Sequence, residues 1–283
     1  MNIEFKDFYY PSYESNLKAV KEHGLFLQHI DQPDERLSYE AVKQNPRAIQ
    51  FVKNKTEGLI LLAVNRNGDL LKYVDNPSKE ICLAAVGNEG LALKYVANPD
   101  DDIIIKALNQ NGFALQFVNR QTEVFCKIAI KNHSSAIKYV KDQKESLCLL
   151  AVKKSGLALK YILHPSKNVI LSAIESDPLA IQFVKDPDID LCYLAVERSP
   201  YVIRYISKPT KSLWIEAIAR KPFVIRFLNN PTEDLLELAI KINPMSLKYI
   251  NKEFQTLKLC QLAVSIDIDA KIHIKNREHL IYF

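Results

Sequence analysis

The sequence predicts an all-α fold, an α-solenoid of about twelve two-helix repeats, each of about 22 residues, and three columns of residues predict it. An alanine followed by an aliphatic residue recurs at one fixed spacing at Ala19, Ala41, Ala63, Ala85, Ala107, Ala129, Ala151, Ala173, Ala195, Ala217 and Ala239, and once more at Ala263 after a two-residue insertion. A second column holds Gly24, Pro46, Gly68, Gly90, Gly112, Ser134, Gly156, Pro178, Pro200, Pro222 and Pro244. A third holds Pro33, Pro77, Pro99, Pro165, Pro187, Pro209 and Pro231, so that every proline except Pro11 lies in one of two columns. The hexapeptide Gly-Leu-Ala-Leu-Lys-Tyr, at residues 90–95 and 156–161, repeats at three periods. A fixed period of this length marks stacked supersecondary units, none of which buries its apolar face alone.

Each element follows from these columns. After the proline column stand Asp34, Thr56, Ser78, Asp100, Thr122, Ser166, Asp188, Thr210 and Thr232, side chains whose oxygens cap the free amides of a helix start; Lys144 and Phe254 break the pattern. A helix of about ten residues runs from there to the Gly/Pro column, where glycine would close it in a left-handed conformation and proline would stop it and open the next helix. The second helix has room for one or two turns and suits, in part, the tighter 3-10 form. An extended Asn-Pro-type link leads to the next repeat. Residues 17–264 read as one array. Residues 1–16, with Phe5, Phe8, Tyr9, Tyr10 and Tyr13, read as an N-terminal aromatic cap, and residues 265–283 as a C-terminal cap. There, Ile266, Ile268, Ala270, Ile272 and Ile274 alternate at period two, which fits either a strand, whose edge would offer a route to a homodimer, or a degenerate last repeat.

Composition places the chain among globular proteins, with 48% hydrophobic and 25% charged residues, too apolar for a disordered chain. No run approaches the ~18 apolar residues of a membrane span, and the charged, tyrosine-rich start does not read as a signal peptide. No membrane association and a cytoplasmic location are therefore expected. The five cysteines, Cys82, Cys126, Cys148, Cys192 and Cys260, share a column with Ile60, Ile104, Ile170 and Leu236, the mark of small buried hydrophobes. The six histidines avoid the spacing of a helical metal pair, and the seven glycines leave no phosphate loop or nucleophile elbow. No catalytic residue, cofactor or metal is expected.

Two columns of the second helix carry the functional reading. One is aromatic: His29, then Phe51, Tyr73, Tyr95, Phe117, Tyr139, Tyr161, Phe183, Tyr205, Phe227 and Tyr249, which reads as a core ladder rather than a stacking platform for nucleic acid. The residue before it is Gln28, Gln50, Lys72, Lys94, Gln116, Lys138, Lys160, Gln182, Arg204, Arg226 or Lys248, never acidic and never apolar, and reads as an exposed stripe of amides and cations. From Arg198 to Lys258 eleven basic residues face five acidic ones, a net charge of +6 within a total of +5. Arg198 and Arg220 are one period apart, as are Arg204 and Arg226.

The phrases "LAVNRNGDLLKYVDNPSKE" and "LAAVGNEGLALKYVANPD" resemble the repeats of the "domain of unknown function 4116" family, over about residues 15–265. More distantly, the chain is similar to leucine-rich variant repeats, in which an α-helix alternates with a 3-10 helix. The resemblance implies an array of short helices and no catalytic residues. It occurs in protist, viral and bacterial proteins, so a host-interaction or inhibitory role, and a host intracellular location for a viral or secreted protein, follow by analogy. The leading expectation is a non-enzymatic protein-binding scaffold. Arg198, Arg204, Arg220, Arg226 and Lys248, with Lys160, Lys138, Lys94 and Lys72, would meet an acidic patch on a protein partner. Nucleic-acid binding along the basic stripe is the alternative, and a self-assembling structural protein the third.

Overall fold

A computed structural model describes residues 12–283. The chain forms two compact units, Met1–Asp142 and Gln143–Phe283, where the sequence reads as one uninterrupted array. Each is a stretch of α-solenoid. The first carries helices α1 (Tyr13–Glu22), α2 (Glu35–Gln44), α3 (Glu57–Val64), α4 (Lys79–Asn88), α5 (Asp101–Gln110) and α6 (Glu123–Asn132). The second carries α7 (Glu145–Lys154), α8 (Lys167–Ser176), α9 (Ile189–Arg198), α10 (Lys211–Arg220), α11 (Glu233–Ile242) and α12 (Leu257–Ile266). A six-residue 3-10 helix follows every α-helix, from Gly24–His29 to Ile268–His273. The second helix is thus 3-10 throughout. Phe5, Phe8, Tyr9 and Tyr10 of the expected aromatic cap lie outside the described residues; Tyr13 opens α1 behind the cap residue Ser12.

The repeat containing α5 shows how the columns work. Asp100 Oδ1 accepts from the Ile103 N–H at 3.0 Å, and Ile103, Ile104, Ala107 and Leu108 form the buried stripe. Asn111 then turns to extended geometry (φ −149°, ψ 109°), and its N–H still reaches Ala107 O at 2.8 Å. The same residue starts the next helix, its Oδ1 accepting from Phe113 N at 3.0 Å. Gly112, Ala114 and Leu115 are buried. Fully burying one such leucine contributes roughly 1.5–3 kcal/mol, and helices this short depend on it.

Glycine serves the second column by a different mechanism from the expected left-handed cap, since no glycine has positive φ. Gly90 is the first residue of a 3-10 helix, and a Cβ there would sit 2.5 Å from Ala107 O in the following repeat. Close approach of backbone to backbone selects glycine. Left-handed geometry falls instead in the links, at Gln32, Asn76 and Asp186, each directly before a proline. Where the proline column holds glutamine, the side chain replaces ring rigidity with hydrogen bonds. Gln121 Nε2 donates to Tyr139 O at 2.9 Å and its Oε1 accepts from Lys141 N at 3.0 Å. Gln143 does the same to Tyr161 O and Leu163 N, both at 3.0 Å.

The break at Phe254 has a geometric origin. The two-residue insertion is taken up by a short 3-10 turn, Lys252–Phe254, and the capping role passes to Thr256, which accepts from Leu259 N at 3.3 Å. Lys144 is a true gap, with no side-chain cap on α7. The alternating isoleucines do not form a strand: Ile266 ends α12, Ile268–His273 is a 3-10 helix, and a further 3-10 helix spans Arg277–Tyr282. Among the described residues there is no strand, so the edge-pairing route to a homodimer is removed. The degenerate-repeat alternative is the one observed.

Candidate interaction surface

Three residues per turn fix what the 3-10 helices present. Side chains three apart eclipse, so the second and fifth residues of each hexapeptide share one outward edge, while the first, third and fourth point inward. The fifth residue is the amide and cation column. Lys72, Lys94, Lys138, Lys160, Arg204, Arg226 and Lys248 are all exposed, as are Gln28, Gln50, Gln116 and Gln182. The second residue is a column that sequence reasoning missed: in the 3-10 helices from Gly156 to Tyr249 it is Leu157, Leu179, Tyr201, Phe223 and Met245, exposed or half-buried. Its signal was a period of three, where helix reasoning looks for 3.6.

The aromatic column is a correction to the core reading. Leu93, Leu115, Ile203 and Ile225, two residues before each ring, are buried to 3% exposure or less, whereas the rings themselves are half-buried and Tyr205 is 39% exposed. They line the surface under the cations. In the first unit Lys94 Nζ lies 4.6 Å from the Tyr95 ring centre, and Lys138 Nζ 4.6 Å from Tyr139 and 5.3 Å from Phe113. In the second, the Arg204 guanidinium carbon lies 4.6 Å from Tyr205 and 5.4 Å from Phe227. That of Arg226 lies 4.7 Å from Phe227 and 5.6 Å from both Tyr201 and Tyr249. Each exposed pairing of this kind contributes ~0.5–1 kcal/mol and holds the cation in one place.

The two units differ in how these cations are balanced. In the first, Asp69 takes Lys94 at 3.1 Å and Lys72 at 3.8 Å. Burial opposes ionisation of Asp69, but Lys94, Lys72 and Tyr95 outweigh it and hold the carboxyl below its ordinary value. In the second, the 3-10 helices from Gly156 to Tyr249 contain no acidic residue. Of the carboxylates of that region, Asp177 and Asp188 stand at helix caps, Asp186 in a link and the rest on the α-helices, where Asp234 pairs with Lys211 at 2.6 Å, Glu216 with Arg220 at 2.7 Å, and Glu237 with Lys258 at 2.6 Å and Lys241 at 3.2 Å. Among the described residues, Arg204, Arg226 and Lys248 make no ion pair. Arg204 donates to its neighbour Tyr205 Oη at 2.6 Å.

Arg198 and Arg220 do not join this edge. They end α9 and α10; Arg198 donates to Glu175 O at 3.3 Å, and Arg220 is held by Glu216. The 3-10 edge of the second unit therefore carries Arg204, Arg226, Lys248 and Lys160, and that of the first carries Lys72, Lys94 and Lys138. All five thiols are buried and pushed up by that burial. Among the described residues no group of three or more His, Cys, Asp or Glu is placed to hold a metal. A shallow depression of about 750 Å³, lined by Asp34, Glu35, Arg36, Tyr39, Thr56, Gly58 and Leu59, lies on the α-helical side.

An α-helix, a two-turn 3-10 helix and a Pro/Gln link, repeated at a fixed period, define an α/3-10 helical repeat protein. Residues 78–122 and 100–143 match the family described as Domain of unknown function (DUF4116). The two matches overlap, as consecutive copies of one repeat should, and over residues 78–143 they bear out the resemblance read from the sequence. No curated protein and no solved structure matches the chain. No helix among the described residues is long and apolar enough to cross a membrane.

Proposed function

We propose that the protein is a non-enzymatic scaffold that binds an acidic protein partner through the 3-10 edge of Gln143–Phe283. The observation that carries this reading is the separation of charge: Arg204, Arg226 and Lys248 lie on 3-10 helices that carry no carboxylate, while Glu216, Asp234 and Glu237 of the same repeats are paired on the α-helices. A cation without an internal carboxylate is free to recognise an external one, and arginine's planar fork binds a carboxylate through two hydrogen bonds. The same charges suit phosphates, but the ring faces that a single-stranded nucleic acid would stack on are covered by the repeats' own guanidinium groups. That coverage favours protein over nucleic acid.

The test compares wild type with Arg204→Glu/Arg226→Glu by fluorescence anisotropy on labelled poly-glutamate and on mixed-sequence single- and double-stranded nucleic acid, over a salt series. Binding of poly-glutamate that is lost in the double variant, with nucleic acid bound more weakly, is the expected result. Tighter binding of nucleic acid, with an affinity falling steeply with salt as counterion release requires, would replace this reading by the alternative. Binding of neither would remove the edge as an interaction surface.

A further inference from the structure

The spacing of the cations limits what an acidic partner can look like. Arg204 and Arg226 flank the same Phe227 ring, their guanidinium carbons 5.4 and 4.7 Å from its centre, so their separation cannot exceed the sum of those two distances. Arg226 and Lys248 share Tyr249 in the same way, at 5.6 and 5.9 Å. Packed neighbouring helices stand ~8–10 Å apart, and one cation per repeat therefore makes a ladder with a step of that size. A polyproline II segment has three residues per turn and a rise of ~3.1 Å, so it returns the same face every ~9.3 Å. A flat β-strand does not match, because residues three apart point to opposite faces.

The surface between the rungs fits the same geometry. The outward edge pairs each cation with the second residue of its hexapeptide, Tyr201 beside Arg204, Phe223 beside Arg226 and Met245 beside Lys248. Phe223 meets Tyr249 at 5.1 Å and Tyr201 meets Phe227 at 6.5 Å, which sets a pair of rings between successive cations. Aromatic-lined clefts are what proline-rich segments dock into, at little entropic cost because the segment is already extended. Resting on the acidic-partner reading above, we infer that the partner of this edge is an extended, polyproline-II-type segment with an acidic residue at every third position. Its carboxylates meet Arg204, Arg226 and Lys248 in turn, and its intervening prolines or small apolar residues lie against Tyr201, Phe223 and Tyr249.

The experiment uses the full chain and three labelled peptides of equal net charge: four Glu-Pro-Pro triplets, the same residues rearranged with the glutamates contiguous, and an alanine-rich helical peptide with glutamates every seventh residue. The triplet peptide is expected to bind at least about tenfold more tightly than either comparison. Arg226→Gln, at an exposed site, is expected to weaken the triplet peptide by about tenfold or more, as loss of a hydrogen-bonded charge pair implies, while Arg220→Gln on the α-helical side leaves it unchanged. Equal affinity for triplet and rearranged peptides, with poly-glutamate still bound, would overturn the spacing inference and leave the acidic-partner reading standing. Preference for the helical peptide would overturn it in favour of a helix. Failure to bind any of the peptides or poly-glutamate would overturn both.

Discussion

The side chain of Gln110 clamps Gly90 to the preceding turn: its Oε1 accepts from the Gly90 N–H at 2.6 Å, and its Nε2 donates to Asn88 O at 3.0 Å. The same clamp joins Gln44 to Gly24 and Glu22 O, Asn88 to Gly68 and Asn65 O, and Asn132 to Gly112 and Asn109 O. Where the column holds proline, no N–H needs a partner, and the opposing residue changes to Arg66, Arg198, Arg220, Ile242 or Ile266. At four of the five glycines of the column, glycine and amide therefore go together; Gly156 faces Ser176 instead.

Gln110→Leu is expected to cost about 1–3 kcal/mol, because the part-buried Gly90 N–H loses its acceptor. Gly90→Ala should cost a similar amount by overpacking, about 1–3 kcal/mol, since its methyl would press on Ala107 O. Arg198→Leu, opposite Pro178, is the control and should stay within about 0.5 kcal/mol of wild type. Urea unfolding midpoints measure all three; an equal loss for Gln110→Leu and Arg198→Leu would show that the clamp contributes nothing special.

Gln255 holds the end of the second unit. It is 2% exposed, with Nε2 at 2.8 Å from Leu247 O and 3.2 Å from both Ile250 O and His273 O, while Oε1 accepts from Lys275 N at 2.8 Å. Gln255→Leu keeps the volume and strands several backbone groups, so a loss of about 2–4 kcal/mol is expected. Hydrogen exchange should locate it, with the Lys275 amide exchanging faster in the variant. Unchanged protection at Lys275 would refute the assignment.

Lys144 is the one inter-repeat position in the capping column that carries no oxygen, and α7 has no side-chain cap as a result. Its backbone is already extended (φ −54°, ψ 145°), close to the geometry of Ser166 (φ −69°, ψ 162°), which caps α8. Lys144→Ser should therefore stabilise the protein by about 0.5–2 kcal/mol. A midpoint at or below that of wild type would show that the column does not act through capping.

Asp100 links folding to pH. Its carboxylate pairs with Lys79 at 2.7 Å and caps Ile103 N, and Lys79 first, then the cap, hold its carboxyl below the ordinary value. A carboxyl depressed in the folded state stabilises it above the unfolded value near 3.9. That stabilisation is lost as pH falls through the folded value. Asp100→Asn keeps a capping oxygen but loses the charge, so its unfolding midpoint should lie below that of wild type at neutral pH and converge with it as pH falls below about 4. A gap that persists in acid would assign the effect to packing.

Much of this architecture was legible because a repeat writes each structural requirement many times over. The capping residues, the buried cysteine column and the exposed Lys/Gln/Arg column are local consequences of a helix start, an apolar stripe and an outward position. They could be read one residue at a time. The aromatic column misled because Phe/Tyr exchange beside aliphatic neighbours looks the same for a core ring and for a ring under a cation. The C-terminal isoleucines misled because the period-two alternation of Ile266 to Ile274 admits strand and degenerate repeat alike.

The sequence by itself determined the period, the number of repeats, the alternation of a longer and a shorter helix and the cation stripe, since each depends on neighbours within a single repeat. Only the tertiary structure decided that glycine answers to a carbonyl in the next repeat, that Gln121, Gln143 and Gln255 replace proline by bonding across repeats, and that Arg204 and Arg226 rest on rings while Glu216, Asp234 and Glu237 are paired on the α-helices. These depend on distances between residues one repeat apart, and such distances exist only once the repeats have packed.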